Sequence, residues 1–143
     1  MAQTFIGDKL KRFEWITAGE LLRLDLPEPQ WVVEGLLPPG LTFLAGHPKK
    51  GKSWLALQLA LSVSTGQHFL QRAVRAGPVL YFPLEDGKRR IRKRMQIQYW
   101  DQVEQVHFDF ERFDISDESH INGLESKIKR TGARLVVIDS LTA

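Results

Sequence analysis

The chain has 143 residues, no cysteine and a formal net charge of +3, with 43% hydrophobic and 26% charged residues. This length fits one domain with a buried core, and the composition is that of an ordinary globular protein. The lack of cysteine excludes disulfides and thiolate metal sites and is compatible with a reducing cytoplasm. No apolar run reaches the roughly 20 residues that cross a bilayer, so the sequence predicts no membrane contact. The four histidines lack metal-ligand spacing and are interpreted as structural or solvated.

The first predicted element is a short helix near the N-terminus. The stretch Thr17-Ala-Gly-Glu20 is a capping box, in which the hydroxyl and the carboxylate each satisfy a backbone amide at a helix start. This helix is predicted to begin at Ala18 and to end before Pro27. We therefore interpret residues 1–30 as a helical lead-in and residues 31–143 as the core of the domain.

Apolar runs bounded by turn residues alternate with helical patterns along the rest of the chain. Strands are predicted at residues 31–33, 41–45, 79–84, 107–110 and 135–138. Helices are predicted at residues 53–64, from an Asp86-Gly87 cap to about Trp100, and at residues 118–130, with Gly66 and Gly132 as stops. We expect strands 41–45, 79–84 and 135–138 to be buried, as well as Ile91, Met95, Ile121, Leu124 and Ile128. This alternation predicts an α/β fold with a parallel sheet covered on both faces.

The stretch GHPKKGKS follows the pattern G-x-x-x-x-G-K-[ST] between a predicted strand and a predicted helix. In this order the loop amides and the helix N-terminus surround an anion with fixed donors. Gly51 lets the backbone approach phosphates, Lys52 reaches the β- and γ-phosphates, and the Ser53 hydroxyl is a ligand for Mg²⁺. A Gly/Lys-rich surface turn is the alternative. The pattern predicts binding of ATP or ADP by a set of eight loop residues and does not indicate which base is preferred. These residues are Gly46, His47, Pro48, Lys49, Lys50, Gly51, Lys52 and Ser53.

Two carboxylates follow predicted strands at the C-terminal edge of the sheet, where ligands bind in open α/β folds. Asp139 ends the run RLVVID, expected beside the phosphate-loop strand, and is predicted to hold Mg²⁺ largely through water. Glu85 ends the run VLYFPLE and is predicted to orient or deprotonate the attacking water. Asp86 is interpreted as a helix cap, and Ser140 either shares in the site or terminates its strand. In the alternative interpretation these carboxylates are turn residues.

This motif order resembles that of RecA-like ATPases, and most closely the RepA-like, plasmid replicative-helicase branch of the AAA ATPases. The resembling stretches are WVVEGLLPPGLTFLAGHPKKGKSWLALQLALSVSTG, GPVLYFPLEDGKRRIRKRM and RLVVIDSLTA. The resemblance implies that Lys52 and Ser53 bind nucleotide and Mg²⁺, that Glu85 is the catalytic base, and that Asp139 is the metal-shell carboxylate. Members of this family form hexameric rings that move along single-stranded DNA or act as related motor subunits.

In that family the pattern continues past the last strand with a γ-phosphate sensor, DNA-contacting loops and an arginine finger. The present sequence ends four residues after Asp139. We therefore expect a C-terminally incomplete core that binds nucleotide with negligible turnover. We also expect the unpaired sheet edge to favour self-association.

The basic segment Lys88–Arg94 leaves two other functions open. The first is a small P-loop kinase that phosphorylates a metabolite, with this segment as its lid. Its position after a strand-end Glu, with Ile91 and Met95 facing inward, argues against a lid. The second is a non-catalytic nucleic-acid-binding module in which the segment contacts single-stranded DNA. A solvated basic helix face is the plainer interpretation.

Overall fold

A computed structural model describes residues 15–140. The start of the predicted lead-in (residues 1–30) and the end of the predicted core (residues 31–143) lie outside the described residues. Three parallel strands form the sheet, in the order β2-β1-β3. The strands are β1 (Val79–Pro83), β2 (Val106–Phe108) and β3 (Leu135–Asp139). The helices are α1 (Ala18–Arg23), α2 (Lys52–Thr65), α3 (Lys88–Ile97) and α4 (Glu118–Thr131). The α/β fold with a parallel sheet, predicted from the sequence, is confirmed.

The central strand β1 is buried along its whole length. Val79 and Tyr81 pack on one face against Leu57 of α2 and Ile91 of α3. On the other face, the ring of Phe82 lies 5.4 Å from that of Phe113. A strand covered on both faces needs apolar side chains at consecutive positions, and the run VLYFP has this property.

Helix α2 begins directly at the end of the GHPKKGKS loop and is stopped by Gly66. The backbone of Gly66 has φ of 75°, in the left-handed region that glycine adopts without a Cβ penalty. Leu57, Ala60 and Val63 are fully buried against the sheet. The predicted helix at residues 53–64 and its stop are confirmed.

Helix α1 has the predicted capping box at its start. The amide of Glu20 donates to the Thr17 hydroxyl at 3.2 Å, and the amide of Thr17 donates to the Glu20 carboxylate at 2.9 Å. The Thr17 hydroxyl also donates to the Glu20 carboxylate, at 2.6 Å. This bond, together with the one from the Thr17 amide, favours the charged carboxylate and lowers the pKa of Glu20. No residue of α1 is buried, so local capping rather than core packing defines this helix.

The predicted strand at residues 41–45 is absent, and this prediction was wrong. Leu41, Phe43 and Leu44 are 83%, 76% and 54% exposed. An apolar run becomes a strand only where a ladder partner and a covering layer are present. Within residues 15–140, β3 pairs with β1, and the run 41–45 joins no ladder. The predicted position of Asp139 beside a phosphate-loop strand is therefore also wrong.

The predicted strand at residues 31–33 is reduced to bridges at one residue. Val33 is fully buried and forms isolated antiparallel bridges with Leu37 and Val74. A single bridged residue satisfies its own backbone but does not extend into a ladder. The predicted strand at residues 107–110 is present, shifted to Val106–Phe108.

Burial of the last two elements is lower than predicted. Strand β3 is half-buried throughout, and so are Ile121, Leu124 and Ile128 of α4. The physical reason is their position, since α4 and β3 lie at the outside of the described sheet. Gly132 stops α4 as predicted, with φ of 64°. None of the helices within residues 15–140 combines the length and the apolar character that a membrane crossing requires.

Candidate functional site

The shape of the GHPKKGKS loop depends on Gly51, which is the N-cap of α2. Its φ is 87°, a conformation that side-chain-bearing residues rarely adopt. A Cβ built at Gly51 would meet no atom within 4 Å, so the constraint lies in the backbone angle rather than in space. The loop thus turns into the helix at the position where the sequence pattern requires glycine.

Lys52 folds back over the loop that precedes it. Its Nζ donates to the carbonyl oxygens of Gly46 at 2.8 Å and His47 at 3.1 Å. These contacts hold the positive charge at the mouth of the loop, beside the free amides at the N-terminus of α2. An anion placed there meets both the ammonium group and the helix N-terminus.

Ser53 and Asp139 meet although they belong to different elements. The Ser53 hydroxyl donates to Oδ1 of Asp139 at 3.0 Å, and the pair is partly buried. Ser53 lies in the first turn of α2, and Asp139 is the last residue of β3. The packing of α2 on the sheet therefore brings the predicted metal ligand and the predicted metal-shell carboxylate together without a phosphate-loop strand.

Glu85 lies just beyond β1, and it is exposed. Ser140, which follows β3, donates its hydroxyl hydrogen to Oε1 of Glu85. The ends of the two strands therefore meet at one edge of the sheet, in agreement with their parallel pairing, in which Pro83 is opposite Asp139. Ser140 links the two carboxylate positions as well as ending its strand.

Asp86 has a different role from the predicted one. The N-cap of α3 is Gly87, without a side-chain capping bond, so the prediction of Asp86 as a cap was wrong. Asp86 is buried, and its carboxylate accepts from Arg90 at 2.7 Å and also from Arg94. A buried carboxylate needs such partners more than an exposed helix end needs a cap, because an unpaired buried charge is strongly destabilising.

The donor set at Ser53 and Asp139 fits Mg²⁺, which prefers hydroxyl, carboxylate and water oxygens. Within residues 15–140, no group of three or more His, Asp and Glu side chains forms a metal cage. The protein would therefore supply few ligands, and phosphate oxygens and water the remainder, which is how Mg²⁺ usually binds beside nucleotides.

A cavity of about 470 Å³ opens beside the loop. Gly46, Lys50 and Lys52 line one side, and Trp54 and Gln58 line another. Its volume is in the range of small-molecule sites. A second cavity, of about 640 Å³, lies between β2 and α4 and is lined by none of the predicted site residues.

Tyr81, Trp54 and Gln98 also lie around the site and were not predicted from the sequence. Tyr81 donates its hydroxyl hydrogen to Oδ2 of Asp139 at 2.8 Å. Arg94 lies over the Trp54 ring at 5.6 Å, and Gln98 donates to the Trp54 carbonyl at 2.8 Å. The signal for Tyr81 was its hydroxyl within a buried apolar strand, because such a hydroxyl needs a hydrogen-bond partner.

Comparison with known protein families gives a match over nearly the whole sequence. The family described as AAA domain matches residues 8–143. The chain belongs to the AAA domain family. This AAA domain is accordingly a nucleotide-binding module of the ATPase type, a class that generally uses ATP and Mg²⁺. Comparisons with curated proteins and with solved structures gave no match.

Proposed function

We propose that this AAA domain is the ATP-binding core of a RepA-like helicase or motor ATPase. The observation that carries the proposal is the hydrogen bond of 3.0 Å between Ser53 and Asp139. It joins the phosphate-loop helix to the strand that ends in the second carboxylate, with Glu85 linked to the same edge through Ser140. This is the order of groups that the resemblance to RecA-like ATPases implies.

Each group has a distinct role in this proposal. The loop amides and Lys52 bind the phosphates, since both present positive charge at the loop mouth. Ser53 and Asp139 hold Mg²⁺, which when bound neutralises charge on the phosphates. Glu85 accepts a hydrogen bond from Ser140 through Oε1, which leaves Oε2 to accept a proton from a water molecule.

The exposed face of α3 supports a role in binding single-stranded DNA. Lys88, Arg89, Arg92 and Lys93 are all exposed on this helix. A cluster of cations attracts a phosphate backbone without reading its sequence. Arg94 of this helix and Gln98, its C-cap, contact Trp54 of the phosphate-loop helix. Bound DNA and bound nucleotide would therefore contact neighbouring helices.

The metabolite kinase has less support. A kinase lid must move, and its arginines must be free to reach the transferred phosphate. Arg90 and Arg94 are instead bound to the buried Asp86 carboxylate. Ile91 is buried in the core cluster, which fixes the middle of the helix to the sheet.

Slow turnover by the 143-residue chain and self-association are also part of the proposal. In comparable systems an arginine finger multiplies the rate by a factor of about 10³ to 10⁵. Arg90 and Arg94 are bound to Asp86 and do not offer that charge. Slow turnover also requires that the exposed Arg89 and Arg92 do not reach the γ-phosphate. The exposed apolar side chains of Leu41 and Phe43 favour association, which light scattering at increasing protein concentration would detect.

The test is a measurement of linkage between nucleotide and DNA. A labelled single strand is titrated with the AAA domain in the presence of Mg²⁺ and ADP, a non-hydrolysable ATP analogue or no nucleotide. In a motor, the affinity for single-stranded DNA must depend on which nucleotide is bound. By thermodynamic linkage, bound DNA must then change the affinity for the nucleotide by the same factor. Strand affinity that is equal in all three states, or phosphoryl transfer to a metabolite in a substrate screen, contradicts the motor proposal.

A further inference from the structure

Tyr81 lies at the centre of the sheet, directly below the site. It is fully buried, and its ring packs 5.4 Å from the ring of Phe108. Its hydroxyl donates to Oδ2 of Asp139 at 2.8 Å. The other carboxylate oxygen, Oδ1, accepts from Ser53 at 3.0 Å. Each oxygen of Asp139 therefore has its own donor, one from the central strand and one from the phosphate-loop helix.

The direction of the hydrogen bond between Tyr81 and Asp139 follows from its geometry and chemistry. The Asp139 carboxylate accepts at both oxygens, so the Tyr81 hydroxyl is the donor at 2.8 Å. Core packing alone does not call for this hydroxyl, because phenylalanine has the same ring and no polar atom to satisfy.

We propose that Tyr81 is a positioning residue for Mg²⁺, acting through the carboxylate of Asp139. The inference rests on the proposed Mg²⁺-nucleotide site. With Oδ2 held by Tyr81, the carboxylate cannot turn away from Ser53, and Oδ1 stays in place as an acceptor. The Ser53 hydroxyl then donates its hydrogen to Oδ1, and its oxygen lone pairs remain available to bind a cation.

The test compares Tyr81→Phe with Tyr99→Phe, which removes a hydroxyl from a side chain that is 91% exposed. Calorimetry gives the Kd for ADP in excess EDTA and in saturating Mg²⁺, and the ratio of the two values measures metal coupling. We expect Tyr81→Phe to have the same Kd for ADP as the wild type in EDTA. We expect the increase in affinity caused by Mg²⁺ to be about tenfold smaller in Tyr81→Phe than in the wild type. Tyr99→Phe should match the wild type in both conditions.

A double-mutant cycle separates positioning from simple loss of stability. In an Asp139→Asn background, where the coupling carboxylate is gone, adding Tyr81→Phe should change the ratio by less than about twofold. A wild type that binds ADP with no gain from Mg²⁺ would overturn both the proposed metal site and this inference. A clear Mg²⁺ gain in the wild type that Tyr81→Phe retains, with only a lower melting temperature, would overturn the inference and leave the nucleotide site standing.

Discussion

Ser53 donates a hydrogen bond to Asp139 across 86 residues of sequence. The contact joins the first turn of α2 to the last residue of β3 and so fixes the phosphate loop relative to the edge of the sheet. A hydroxyl and a carboxylate at this distance form a ready pair of oxygen ligands. Their separation in the sequence makes the site a product of the fold rather than of one motif.

Replacing Ser53 with alanine tests this pair directly. We expect Ser53→Ala to bind ADP normally in EDTA and to bind it about tenfold more weakly than the wild type in Mg²⁺, because one metal ligand is lost. The control is Ser64→Ala in the same helix, whose hydroxyl donates to the Leu61 carbonyl at 2.9 Å, within the helix. If Ser53→Ala loses the same affinity for ADP in EDTA as in Mg²⁺, Ser53 has only a structural role.

Parts of this structure follow from local sequence, and these were predicted well. The capping box at Thr17 and Glu20 and the stop at Gly66 involve neighbouring residues, so their physics can be read from spacing. The central strand β1 was also clear, since an uninterrupted apolar run between turn residues favours burial on both faces.

Other parts depend on partners that are distant in sequence. The run 41–45 has the composition of a buried strand, yet a strand exists only where another strand pairs with it. The bond from Tyr81 to Asp139 required the register of β1 and β3, in which Tyr81 is opposite Val137. The burial of Asp86 and its ion pair with Arg94 depend on tertiary contacts. The local sequence does not show these contacts, so Asp86 was predicted to be a helix cap.

The basic face of α3 gives a prediction about salt. The neutralised residues should be Arg89, Arg92 and Lys93, since Arg90 is bound to Asp86 and its loss would leave a buried charge. We expect Gln at these three positions to reduce the slope of log K against log salt by about two units for single strands. The measurement is fluorescence anisotropy with a labelled oligonucleotide from low to physiological salt.

A control of equal charge change replaces Arg23, Lys129 and Arg130, which are exposed on other helices. This control should leave the salt slope of strand binding as it is in the wild type. If both triple variants reduce the slope equally, net charge rather than α3 determines the binding. If the wild type does not bind single-stranded DNA at low salt, the basic face of α3 is a solvated surface and not a DNA-binding site.

Turnover gives a third prediction. The 143-residue chain should release phosphate far more slowly than the typical enzyme rate of about 1 s⁻¹ or above. Glu85→Gln should remove what activity remains, because the amide cannot take a proton from water. A steady-state phosphate-release assay measures both proteins. Turnover near 1 s⁻¹ that Glu85→Gln abolishes would show that the proposed slow turnover is wrong.

Lys127 gives a prediction about alkaline pH. Its hydrogen bond to Asp109, with a second one to Glu111 at 3.1 Å, raises the pKa of Lys127. A raised pKa means that this pair contributes stability below the unfolded value of about 10.4 and loses it as pH rises through the folded value. We expect Asp109→Asn to lower the pKa of Lys127 in an NMR titration. A pKa that does not move would show that Asp109 is not its cause.

We propose that the loop preceding Lys52 binds nucleotide phosphates, and one calorimetric comparison tests this most directly. ADP with Mg²⁺ is titrated into the wild type, into Lys52→Ala and into Lys49→Ala, which removes an equal charge from the same loop and keeps the backbone amide at position 49. We expect Lys52→Ala to lose at least about tenfold in affinity, or about 1.4 kcal/mol, while Lys49→Ala stays near the wild type. Equal affinity of the wild type and Lys52→Ala would show that this loop does not bind the phosphates through Lys52.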